Sequence, residues 1–135
     1  MRDSALYHAH LLEKYGFEDI ILSLKSSRVE TMVRAYELTA EACPYPLHIG
    51  VTEAGTPRMG LIKSAAGLGS LLLHGIGDTL RISLTADPVE EVRAGIDLLK
   101  AIGLRGGVPM LVSCPTCGRT SIDLIGIAGE VEERL

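Results

Sequence analysis

Aromatic side chains are scarce in this chain: no tryptophan, one phenylalanine and four tyrosines in 135 residues. A core must therefore be built from Leu, Ile, Val and Ala. No apolar run approaches the length of a membrane span, which excludes a transmembrane helix. The opening "MRDSALYHAHLLEKYG" has charged and histidine positions where a secretory signal needs an apolar block, so cytoplasm is the expected compartment. Positive charge is also short. With 13 Lys+Arg against 17 Asp+Glu the formal net charge is −4, which gives no electrostatic case for nucleic acid or an anionic membrane. Cysteine is limited to Cys43, Cys114 and Cys117. An odd total with one tight pair does not suggest a disulfide framework, and in a reducing compartment metal binding or redox chemistry is the better use of a C-x-x-C pair.

What is present alternates. Helical patterns cover 4–16, 28–43, 59–75, 87–103 and 120–135. Short apolar runs at 19–25, 46–53, 79–85 and 108–114 read as strands. Ser4 is expected to cap the first helix and Gly16 to stop it; Pro44 ends the second. Asp87, Pro88, the acidic first turn and Gly103 delimit the helix at 87–103 most clearly. Strands alternating with helices of this length imply α/β units on a parallel sheet, either doubly wound or from a (β/α)8 barrel. Four units are too few for a closed barrel, which takes about 250 residues. The glycine-rich "GLRGGVP" at 103–109 is the best candidate for a linker.

Strand polarity separates the two architectures. Ile20, Leu22 and Leu24 alternate with Ser23 and Lys25. Leu47, Ile49 and Val51 alternate with His48, Gly50 and Thr52, and Leu80, Ile82 and Leu84 with Arg81 and Ser83. One apolar and one small or polar face per strand suits barrel staves better than a sheet covered by helices on both sides.

Polar residues gather at strand C-terminal ends, where α/β proteins place their sites: Lys25, Glu53, Ser83 and Cys114. Each has a plainer reading. Lys25 serves equally as a surface strand stop, Glu53 as a helix-capping carboxylate and Ser83 as a small interior filler. Arg81 inside a barrel would need a buried acidic partner, so a structural ion pair weighs as much as ligand binding. Arg58 and Lys63 near the start of a helix suit phosphate or solvent. The glycines of "GLGSLLLHGIGD" fit packing and turns and make no phosphate loop. His8, His10, His48 and His74 show no ligand spacing. Cys114 and Cys117 leave metal or cluster binding, a redox dithiol and structural thiols all open.

Several stretches together resemble one family. "HIGVTEAGTPRMGLIKSAAGLGSLLLHGIGDTLRISLTADPVEEVRAGIDLLKAIGLR" followed by "CPTCGRTSIDLI", with "IILSLKSS" in register before them, is similar to the GcpE-type 4-hydroxy-3-methylbut-2-enyl diphosphate synthases of the non-mevalonate isoprenoid pathway. The resemblance covers essentially the whole chain. It implies a TIM barrel joined to a [4Fe–4S] domain, and a reductive ring opening and dehydroxylation of 2-C-methyl-D-erythritol 2,4-cyclodiphosphate with electrons from ferredoxin or flavodoxin. It implies that Lys25 and Ser83 bind the diphosphate, that Glu53 is catalytic near the reacting end, and that Cys114 and Cys117 are two of three cluster thiolates. The third cysteine and a glutamate would lie beyond Leu135. On this reading 1–104 are the last three β/α units of the barrel, and 105–135 are a linker with the first strand and helix of the cluster domain. Such a segment alone is expected to be inactive and to self-associate through unpaired strand edges. The competing expectation is a free-standing α/β binding module whose C-x-x-C takes zinc or exchanges disulfides.

Overall fold

The runs at 20–26, 46–52 and 79–85 lie side by side, all pointing the same way. Leu22 pairs with Leu47 and Ser26 with Val51 through parallel bridges, and β1 (His48–Ile49) pairs in parallel with β2 (Thr79–Leu80). The computed structural model describes residues 1–107, 109, 111–114 and 118–134. They form two compact units, Met1–Leu104 and Arg105–Leu135. The first unit holds the sheet with α1 (Arg2–Glu13), α2 (Val29–Ala40), α3 (Pro57–Leu73) and α4 (Pro88–Ala101); the second holds α5 (Leu124–Arg134).

Regular strand is shorter than the alternating pattern suggests, and a tyrosine explains part of the shortfall. Leu22 N–H donates to Pro46 C=O at 2.9 Å, and His48 N–H to Leu22 C=O at 2.8 Å. A regular parallel ladder would next join Leu24 N–H to His48 C=O. The Tyr36 hydroxyl stands between them instead, accepting from Leu24 N–H at 2.8 Å and donating to His48 C=O at 2.7 Å. Pairing resumes where Thr52 N–H donates to Ser26 C=O at 3.2 Å. The backbone groups stay satisfied, as burial requires, but through a phenol rather than through each other. Burial pushes the Tyr36 phenol up, and the Leu24 N–H and the Ser23 hydroxyl pull it part of the way back.

The alternation places the core. Ile20, Leu22, Leu24, Leu47, Ile49, Val51 and Ile82 are buried, against Met32, Ala35 and Tyr36 of α2, Leu68 and Leu71 of α3, and Leu98 of α4. Ile21, between buried neighbours, is 59% exposed, so the opposite face of the sheet is open. α3 meets α2 at Gly67, where an added Cβ would stand 2.6 Å from the Met32 methyl.

Three helices end alike. After α1, Phe17 N–H reaches Leu12 C=O and Gly16 N–H reaches Glu13 C=O, with Gly16 at φ 75°. The same pair of bonds closes α3 around Gly75 and α4 around Gly103. This is the Schellman turn, whose left-handed position glycine takes without a Cβ penalty. At the start of α4, Asp87 accepts from Val89 N–H at 2.8 Å, as its sequence signal implies. Ser4, by contrast, lies inside α1, which begins at Arg2 without a side-chain cap.

The strand expected at 108–114 is not found among the described residues. Pro109 and 111–114 carry no strand, and 108 and 110 lie outside the described set. α5 is the single regular element of that unit among the described residues, so no neighbouring strand offers Leu111 or Val112 a ladder.

Two buried hydroxyls have opposite consequences. Tyr36→Phe strands a buried N–H and a buried C=O and is expected to cost about 1–3 kcal/mol, read as a lower denaturant midpoint. Ser64 is fully buried and its Oγ has no hydrogen-bond partner. Ser64→Ala removes that uncompensated group and is expected to raise the midpoint, by up to about 1 kcal/mol.

Candidate functional site

The open face of the sheet collects side chains in rungs. The Ser26–Val51 bridge sets Lys25 beside Gly50, and the His48–Thr79 pair sets Gly50 beside Arg81. One rung therefore runs Lys25, Gly50, Arg81 across three parallel segments. The rung before it runs Ser23, His48, Thr79. Gly50 matters because it has no side chain. A Cβ there would stand 3.4 Å from Lys25 Cε and 2.9 Å from the Arg81 carbonyl oxygen. Glycine thus lets the lysine stem lie across the floor toward the arginine strand.

The rung is cationic and uncompensated. The ion pairs among the described residues are Arg2–Asp3, Arg34–Glu37, Arg93–Glu90, Lys100–Asp97 and Arg134–Glu130, none of which involves Lys25 or Arg81. The structural ion pair weighed for Arg81 is therefore absent among the described residues. Partial burial, and then the charge of Arg81, pull the Lys25 ammonium below the usual lysine range. His48 is also held below the ordinary imidazole value, first by burial and then by Lys25 and Arg81. Its Nδ1 lies 2.8 Å from Thr79 Oγ1. A patch of this kind attracts anions.

The remaining expected site residues are placed as follows. Ser83 is half-buried, two residues past Arg81. Glu53 is exposed, two residues past the buried Val51, with its backbone at φ 50°. It is the non-glycine residue with a left-handed backbone among the described residues, and its carboxylate makes no ion pair or hydrogen bond within them. Parallel pairing means that Lys25, Glu53 and Ser83 all come from the C-terminal ends of their segments. Neither Arg58 nor Lys63 forms an ion pair among the described residues. Cys114 is an exposed free thiol, and Cys117 lies outside the described residues. Among the described residues no three His, Cys, Asp or Glu side chains converge on a point that would suit a metal ion. His48 and Gly50 were not singled out from the sequence as site residues. The signal that finds them is register, which sets them beside Ser23 and Lys25.

Residues 1–96 match the family model of the GcpE TIM-barrel domain. The chain belongs to this family. Curated relatives named 4-hydroxy-3-methylbut-2-en-1-yl diphosphate synthase (flavodoxin) align with nearly all of it. The Geobacter sulfurreducens protein is 60% identical over 135 residues, covering 100% of this chain and 38% of its own length. The Clostridium perfringens protein is 58% identical over 134 residues, covering 98% of this chain and 38% of its own length. The Symbiobacterium thermophilum protein is 56% identical over 135 residues, covering 100% and 36%. The chain thus spans 36–38% of the length of these relatives. Parallel segments with helices behind them and a polar face in front suit the family's barrel description. No helix among the described residues is long and apolar enough to cross a membrane.

The GcpE segment around Glu53 pays for its geometry in backbone strain. A left-handed L-residue costs roughly 1–2 kcal/mol, part of which glycine would return as lost chain entropy. Glu53→Gly is expected to raise the thermal midpoint by the equivalent of up to about 1 kcal/mol. A fall in the midpoint would show instead that the Glu53 side chain holds the turn together.

Proposed function

We propose that this chain carries the diphosphate-binding part of a flavodoxin-dependent 4-hydroxy-3-methylbut-2-en-1-yl diphosphate synthase, an iron–sulfur oxidoreductase of isoprenoid biosynthesis. The observation that carries the reading is the Lys25–Gly50–Arg81 rung, a basic pair on an open polar face with no carboxylate paired to it among the described residues. The relatives' printed names supply the diphosphate and the donor class. Lys25, Arg81 and the Ser83 hydroxyl hold the anionic end of the substrate through charge-assisted hydrogen bonds. Glu53, past the end of its segment and without a partner among the described residues, is the carboxylate that holds a hydroxyl or moves a proton at the reacting end. The Met1–Leu104 unit is read as barrel staves and the Arg105–Leu135 unit as the beginning of the cluster domain.

The cofactor is a separate matter. A [4Fe–4S] cluster takes about four protein ligands, and the described residues offer Cys114 as an exposed thiol with no group of three ligands around it. They do not make a cluster site by themselves. Cys114 and Cys117 are proposed as two thiolates of a set completed elsewhere in the whole protein.

Calorimetric titration with inorganic pyrophosphate tests the anion site. Binding is expected, weakening as salt rises. Lys25→Ala and Arg81→Ala should each weaken it about tenfold or more, from the ~1.5–3 kcal/mol of a hydrogen bond to a charged group. Unchanged affinity in both variants overturns the assignment.

A further inference from the structure

We propose that His48 is a proton-linked contact of the anion site, taking up a proton when a phosphate-class dianion binds at the Lys25–Gly50–Arg81 rung. The inference rests on the anion-site reading above and adds a residue and a proton to it. Its basis is placement. His48 lies on the same face as Lys25 and Arg81, one rung before them. Its backbone is held from both sides, by its N–H to Leu22 C=O and by the Tyr36 hydroxyl on its C=O. Its Nδ1 is engaged by Thr79 Oγ1 at 2.8 Å, while its Nε2 has no hydrogen-bond partner among the described residues.

The groups around it decide the sign. Lys25 on one neighbouring segment and Arg81 on the other bring positive charge. Thr79 brings a neutral hydroxyl. From α2 comes the neutral Tyr36 phenol, already committed to backbone. The nearby Asp78 carboxylate accepts from Leu47 N–H at 2.8 Å. With no anion present, burial and then those cations disfavour the imidazolium. An anion seated between Lys25 and Arg81 cancels their effect and offers an acceptor to a protonated Nε2. Both ring nitrogens of imidazolium are donors, and Thr79 Oγ1 can accept from the other. Linkage then requires anion affinity to rise as pH falls through the His48 titration.

Two probes distinguish this from simple charge attraction. Sulfate stays a dianion across about pH 5 to 8, so the pH dependence of its binding reports the protein. Sulfate affinity is expected to rise toward the acid end in the native protein and to be flat in His48→Gln. Independently, the His48 ring resonance of the native protein should titrate about one unit or more higher in saturating pyrophosphate than without it. A His48 midpoint unmoved by pyrophosphate, while Lys25→Ala and Arg81→Ala still lose binding, overturns the proton linkage and leaves the anion site standing. Absence of any pyrophosphate binding overturns the anion site and this inference with it.

Discussion

The arrangement turns on a single phenol oxygen. Tyr36 projects from α2 through the apolar layer and ends between two segments of the sheet, bonded to Leu24 N–H and His48 C=O. Leu24 precedes Lys25, and His48 lies two residues before Gly50, so the same oxygen fixes the approach of both sides of the cationic rung. It also holds the strands apart there, which a direct N–H···O=C bond would not. Burial makes this contact consequential. The side chain is fully enclosed, and neither backbone group has water as an alternative. Core and site are therefore coupled through Tyr36: the helix that packs the apolar face also sets the spacing of the polar one.

The polar face is arranged at some expense to stability. Lys25, His48 and Arg81 stand together without a paired carboxylate among the described residues, and the ionised forms of Lys25 and His48 are both disfavoured in the fold. The unfolded chain binds protons more tightly at both positions. Stability therefore rises as pH climbs through the imidazole range and is lost on acidification. A face selected only for stability would place a carboxylate opposite Arg81. Leaving the cations unmatched makes sense where the missing charge arrives with a ligand.

Much of this was legible in the sequence, and what was not has a physical reason. The alternation of Ile20, Leu22 and Leu24 with Ser23 and Lys25 assigns faces because a strand has period two. Gly16, Gly75 and Gly103 mark helix ends because the left-handed turn there selects glycine. Strand length was not legible, since the Tyr36 oxygen interrupts a ladder twelve residues away in sequence. Nor was the run at 108–114, where apolar residues suggested a strand but the described residues provide no partner. The rung itself depends on register. Histidines judged by ligand spacing along the chain gave no signal, because His48 meets its neighbours across strands. The backbone of Glu53 was likewise hidden: carboxylates give little local indication of a left-handed turn.

Parallel pairing gives the last constraint on the site. In a (β/α)8 architecture the C-terminal ends of the strands share one rim. Lys25, Glu53 and Ser83 come from the C-terminal ends of their segments, while Ser23, His48 and Thr79 lie one rung before Lys25, Gly50 and Arg81. On the proposed reading, a ligand held at the Lys25–Arg81 rung has the Ser23–His48–Thr79 rung beneath it and the Glu53 turn beyond it. That order matters chemically. On the proposed reading, anion-holding groups set deeper than the carboxylate would orient an extended substrate with its charged end inward and its uncharged end toward the rim. A carboxylate placed within the cationic rung would instead be neutralised by Lys25 and Arg81 and compete with the ligand. The left-handed turn at Glu53 moves the carboxylate out of the strand's alternation, where Val51 and residue 53 would otherwise share the apolar side. On the proposed reading, the strain at Glu53 and the charges at Lys25 and Arg81, unpaired among the described residues, belong to one division of labour, with the anion site and the carboxylate kept apart on the same sheet.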